Sequence, residues 1–190
     1  MSMKRLLYPL LAMLLLPLFW TRAEQASEAA VGVRRTGCVQ AYLYDNVGSY
    51  TNVRYLPNGK VKVTLTRDLF IPCFELTGYK DGWWKIVTCM DAEGVDNDSV
   101  DAICEKAEGG YIHYSCVAVE TRNYGGQTVE FRADPDPRSK VVWKTKEVIM
   151  VRPIGVSLDG LWWKVRSEDG KHEGWVTTDQ LCTNPLTNCC

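Results

Sequence analysis

A tryptophan-centred phrase occurs twice in this chain, as DGWWKI at Asp81 to Ile86 and as DGLWWKV at Asp159 to Val165. About 30 residues before each copy stands a matching N-V-R or E-F-R, at Asn52 to Arg54 and at Glu130 to Arg132. After each copy comes a glycine, an aromatic and an aliphatic residue, Gly110-Tyr111-Ile112 and Gly174-Trp175-Val176. Three motifs in one order, repeated, make the chain a small unit used twice, and units this short need mutual packing or covalent staples to be stable. The offset between copies is about 78 residues as far as the tryptophans but 64 at the glycine. The first copy therefore carries an insertion of about 15 residues between Ile86 and Gly110. Insertions are tolerated where the backbone turns at the surface, so this one is expected to extend the hairpin that follows the double-tryptophan strand.

From Cys38 onward the text is strand-like. CVQAYLY, KVKVTL, LFIPCFEL, WWKIVTC, TVEFRA, KVVWKT and WWKVRS are short, rich in β-branched and aromatic residues, and separated by Gly, Asp, Asn or Pro. With no long helical period outside the N-terminus, this spacing predicts an all-β chain of two small barrels in tandem. The first spans residues 38–122 with its insertion at 89–108, and the second spans 123–190. A sheet running without a break through both copies, or helices in either, would count against two separate barrels.

Residues 1–23 divide as an export signal does. Lys4 and Arg5 precede a mostly apolar run from Leu6 to Trp20, and Thr21-Arg22-Ala23 offers small residues at the outer positions of a cleavage site. The apolar run contains Pro9 and Pro17 and is shorter than the roughly 20 residues a spanning helix needs, so no stable membrane insertion is expected. Residues 24–37 read as a flexible leader. All eight cysteines lie beyond residue 23, which suits an exported chain, periplasmic or secreted, whose thiols pair in an oxidising compartment. Cys89 and Cys104 flank the insertion, and closing that loop would stabilise the fold by about 3 kcal/mol. The alternative is that one or both are buried thiols. Eight cysteines allow 105 connectivities, and the adjacent Cys189 and Cys190 could bridge to separate places.

Without the signal, 19 Lys and Arg face 23 Asp and Glu. No basic face stands out, and nucleic-acid binding needs one to release phosphate counterions. The acidic insertion holds Asp91, Glu93, Asp96, Asp98, Asp101, Glu105 and Glu108. It departs from a calcium loop in lacking the glycine and glutamate of that pattern, so a solvated loop or a docking surface for a basic partner is expected instead. No metal or other cofactor is called for.

The N-V-R followed by the Leu56 to Gly59 turn, the Gly-Trp-x-Lys strand, and the Gly-aromatic-Val strand resemble the bacterial SH3 (SH3b) domain family. The second copy matches from about Gly126 to Thr183 and the first from about Ser49 to Glu120, where Tyr111 stands in place of the usual tryptophan. The resemblance implies a binding module for peptides, peptidoglycan fragments or envelope proteins, the first of these recognised on aromatic platforms. Alternation along a strand places Trp84 with Ile86 and Trp163 with Val165 on the core side. Trp83 and Trp162, beside Lys85 and Lys164, are the outward candidates for a ligand platform, with Tyr55 and Tyr79 as further aromatic contacts. The same side chains could instead pack against the other repeat. Arg54 and Arg132 are expected to brace local carbonyls or acids.

Hydrolases of the NlpC/P60 type carry SH3b domains beside a Cys/His catalytic domain, which raises the question of activity. The only histidines, His113 and His172, fall on a repeat strand and in a hairpin turn, and neither a serine elbow nor a phosphate-cradling glycine loop is present. His113-x2-Cys116 is too little for a zinc site. The expectation is a non-catalytic module.

Overall fold

A computed structural model of the chain describes residues 38–66, 68–94 and 97–186. The signal and leader expected at 1–37, and Cys189 and Cys190, lie outside the described residues. β-branched and aromatic segments form the strands: β1 (Val39–Leu43), β2 (Tyr50–Arg54), β3 (Val61–Thr66), β4 (Pro72–Lys80) and β5 (Trp83–Asp91) come first. A helix, α1 (Asp98–Ala107), follows, and then β6 (Tyr111–His113) and β7 (Val117–Thr121). The rest comprises β8 (Val129–Arg132), β9 (Val141–Thr145), β10 (Met150–Val156), β11 (Trp162–Ser167), β12 (Glu173–Thr177) and β13 (Leu181–Cys182). Single 3-10 turns at Tyr114–Cys116 and Thr178–Gln180 lead into β7 and β13.

The chain is nearly all β, in an open antiparallel sheet, and each half uses the same strand order. The first runs β3-β2-β6-β5-β4-β1-β7 and the second β9-β8-β12-β11-β10-β7-β13, with β7 standing where β1 stood. Register agrees as well. Trp83, Trp84 and Lys85 face His113, Ile112 and Tyr111, while Trp162, Trp163 and Lys164 face Thr177, Val176 and Trp175.

The strand path is unbroken because β7 serves both halves. Its first residues, Val117 and Ala118, pair with Leu43 and Tyr42 of β1. Its remaining residues pair with β10 through Val119 and Glu120 and with β13 through Glu120 and Thr121. The pairing therefore runs on through the 122/123 boundary. Side-chain ties cross the same seam. Tyr42 donates its hydroxyl proton to Met150 Sδ at 2.9 Å, and Arg152, 7% exposed, donates to the carbonyls of Tyr44 and Val117. An arginine this deep would be costly without partners, and Arg152 of the second half finds carbonyl acceptors in the first.

The expected acidic hairpin is corrected: the insertion folds into α1. Asn97 caps it, its side-chain oxygen accepting from Ser99 N–H at 3.0 Å, and Asp98 and Asp101 sit in the first turn where the helix dipole favours them. Val100, Cys104 and Ala107, spaced by four and three, form its buried face against β5 and β3.

The second half, lacking the insertion, covers the same position differently. Val53 pairs with Val63 in the first half, and Phe131 pairs with Trp143 in the second. There Trp143 stacks on Phe131 at 4.0 Å and on His172 at 5.2 Å, so three rings occupy the side that α1 covers in the first half. The two glycines of the repeat, Gly110 and Gly174, permit both arrangements. A Cβ at Gly110 would lie 2.5 Å from Val53 Cγ1, and one at Gly174 would lie 2.7 Å from Phe131 Cβ.

Candidate functional site

The Asp81-Gly82 turn starts the site. Asp81 and Gly82 both have positive φ, 51° and 88°, and a Cβ on Gly82 would come within 2.9 Å of His113 Nε2. Glycine thus lets the hairpin close on β6, and Tyr114 N–H donates to Gly82 O at 2.9 Å. This places Trp83 edge-on to His113, with centroids 5.2 Å apart. The aromatic run continues from His113 to Tyr114 at 4.7 Å, from Tyr114 to Tyr79 at 6.5 Å, and from Tyr79 to the core indole of Trp84 at 4.9 Å.

The second half supplies charge to this run. Arg166 on β11 donates from Nη1 to Tyr114 Oη at 2.6 Å, with its guanidinium 5.0 Å from that ring. Its Nε donates to Glu173 Oε1 at 2.7 Å, and Lys164 Nζ lies 3.3 Å from Glu173 Oε2. Beneath them Trp84 Nε1 donates to Pro153 O at 2.9 Å, a buried bond between the halves. The matching indole of the second half, Trp163, has no acceptor for its buried Nε1 among the described residues.

Electrostatics follow from this packing. Burial lowers the pKa of His113, so its ring is neutral at pH 7. Burial would raise Glu173, but the hydrogen bond and charge of Arg166 outweigh it and leave the carboxyl below its usual value. For Tyr79 burial raises the phenol pKa, with Arg166 opposing.

The expected site residues divide. Trp84 and Trp163 are in the core as alternation requires, 0% and 5% exposed. Trp83 and Trp162 are each only 8% exposed, so neither is an open platform. Trp83 and Tyr79 join one cluster through His113 and Tyr114, whereas no ring contact involves Trp162 among the described residues. Tyr55 is 58% exposed in the β2–β3 turn and is linked to the cluster by no ring contact. Arg54 donates to Gly59 O at 2.7 Å, and Arg132 donates to Ser139 O at 2.8 Å and to Glu130. Cys89 and Cys104 are neighbours, their sulfurs 2.7 Å apart.

Sequence reasoning missed Tyr114, Arg166 and Glu173, because nothing local ties a residue of β11 to a 3-10 turn 52 positions earlier. A cavity of about 230 Å³ lies away from the ring contacts, lined among others by Gln40, Cys73, Glu75, Thr88 and Asp91. None of the four expected ligand residues lines it. No hydrogen bond joins His113 to Cys116 among the described residues. His113 Nδ1 is bonded to Ser115 Oγ at 2.8 Å, and burial, with Asp45 nearby, pushes the Cys116 thiol up to about 11. At pH 7 roughly one such thiol in ten thousand would be ionised.

No protein-family model matches this chain, and no curated protein sequence matches it. Among solved structures it overlaps NlpC1 from Trichomonas vaginalis, with a TM-score of 0.30 and 10% identity, over 78% of this chain and 47% of that one. NlpC2 from the same organism gives a TM-score of 0.30 and 10% identity, over 77% of this chain and 48% of that one. The chain thus spans about half the length of these proteins, and similarity at this level decides neither fold nor activity.

Proposed function

We propose that the chain is an exported, non-catalytic binding module made of two SH3b-type barrels that share β7. It recognises an extended peptide or a peptidoglycan fragment at the aromatic cluster on the seam. One observation carries this reading: Trp83, His113, Tyr114 and Tyr79 form a continuous, partly exposed run of rings edged by Arg166 and Lys164 of the other half. Flat rings hold the apolar part of an extended ligand, and Arg166 and Lys164, set against the single carboxylate of Glu173, leave a net positive edge that suits a peptide carboxylate. Repetition of one strand order, with a 3-10 turn before each closing strand, supports the tandem-barrel description.

Because Trp83 and Trp162 are buried, replacing either by Ala would cost about 3–5 kcal/mol of stability and would confuse folding with binding. His113→Ala and Tyr114→Ala are the better probes, as both side chains are only half-buried. Retention of the mature chain on purified wall fragments is expected to fall at least tenfold in both variants while each remains folded by far-UV circular dichroism. Undiminished retention would reject the seam as the binding place.

A second reading has its own support. Asp98, Asp101 and Glu105 lie exposed on α1 and enter no ion pair among the described residues, a surface suited to a basic envelope protein. Changing the three to Lys leaves wall retention intact under the first reading and abolishes partner capture under the second. Deleting the insertion would not discriminate, since Val100, Cys104 and Ala107 belong to the core.

A further inference from the structure

The two halves solve one packing problem by different means, and the difference singles out a pair of sulfurs. In the second half the rings of Phe131, Trp143 and His172 fill the side over β8 and β9. In the first half the smaller Val53 and Val63 leave that side to α1. A helix of 10 residues is marginal by itself, and this one buries only Val100, Cys104 and Ala107. Cys104 is the middle member of that buried face, 4% exposed, and its sulfur lies 2.7 Å from the sulfur of Cys89 on β5, itself 8% exposed. Polar ties cluster at the C-terminal end of α1: Cys89 N–H donates to Glu108 Oε1 at 3.3 Å, Lys62 Nζ donates to the Glu108 carbonyl, and Gly109 N–H donates to Ile86 O at 2.9 Å.

We propose that Cys89 and Cys104 form a disulfide that latches α1 over the β3–β5 side of the first half, and that reducing this bond frees the helix while leaving the second half closed. In closing the latch the two thiols lose two protons and two electrons to a disulfide-bearing oxidant, which becomes a dithiol as the Cys89–Cys104 S–S bond forms. A dithiol reductant reverses the exchange. The neighbouring third thiol does not compete. Burial, with Asp91 adding to it, raises the Cys73 pKa, so at neutral pH it is protonated and a poor attacking group. The latch accordingly has one partner on each side and no local route to reshuffle.

Hydrogen exchange read by mass spectrometry tests this on the full mature chain, with the α1 peptide as reporter and the β8–β9 peptide as internal control. Opening a cross-linked loop of about 15 residues should raise α1 exchange about a hundredfold on reduction, with β8–β9 unchanged. Reduction also opens the disulfide that Cys182 makes, so the variant Cys89→Ser/Cys104→Ser, measured without reductant, isolates the latch. It should exchange at α1 as the reduced wild type does. Peptide mapping of the unreduced protein should recover Cys89 joined to Cys104. Equal α1 protection in the oxidised, reduced and double-Ser proteins would overturn the proposal, and so would a map joining either residue to another cysteine.

Discussion

Replacing each core indole by phenylalanine gives a matched pair of experiments inside one molecule. Trp84→Phe and Trp163→Phe remove the same atoms from equivalent strand positions, so their transfer and cavity costs are similar. They differ in the indole N–H. Trp84 Nε1 donates to Pro153 O at 2.9 Å across the seam, and its loss strands a buried carbonyl at a cost of about 1–3 kcal/mol. Trp163 Nε1 is buried without an acceptor, so its removal relieves a penalty of similar size. Trp84→Phe should therefore cost about 2–6 kcal/mol more than Trp163→Phe. With a urea slope of about 2 kcal/mol/M, the two midpoints should differ by about 1–3 M. Urea unfolding followed by far-UV circular dichroism measures this without relying on tryptophan emission. Equal midpoints, or a lower one for Trp163→Phe, would refute both the seam bond and the orphaned donor.

Two further outcomes follow from the packing. Because burial lowers the pKa of His113 in the folded state, the unfolded chain binds more protons just below the usual histidine value, and stability falls with pH there. Acidifying from pH 7.5 to 5.5 should lower the melting temperature, and His113→Gln should flatten that slope; the depressed carboxyls Glu173 and Asp169 act only at lower pH. Gly174→Ala places a methyl 2.7 Å from Phe131 Cβ and should cost about 1–3 kcal/mol in urea unfolding, whereas Gly126→Ala, with open space around it, should cost about 1 kcal/mol from its φ of 76° alone.

Much of the architecture was legible in the residues, and what was missed has definite physical reasons. Alternation placed Trp84 and Trp163 inward correctly, because a strand's period of two is set by its own backbone. It could not show that the opposite face is also covered, and so Trp83, packed against His113, reads in sequence as exposed. The helix left a trace in Val100, Cys104 and Ala107 behind the cap Asn97, but seven acidic residues in the same stretch read as a solvated loop. Sharing of β7 leaves no mark at all. VAVET has the composition of any strand, and only the positions of β1, β10 and β13 reveal its double use. The seam cluster is invisible for the same reason, since Tyr114 and Arg166 meet only once both halves have folded.

The most direct trial of the binding assignment is an amide and side-chain NMR titration of the mature chain with a soluble wall peptide carrying a free carboxylate. Resonances of His113, Tyr114 and the Arg166 guanidinium should move together and saturate at one concentration, while those of α1 stay fixed. Movement confined to α1 or to the Tyr55 turn, with these three silent, would contradict the account.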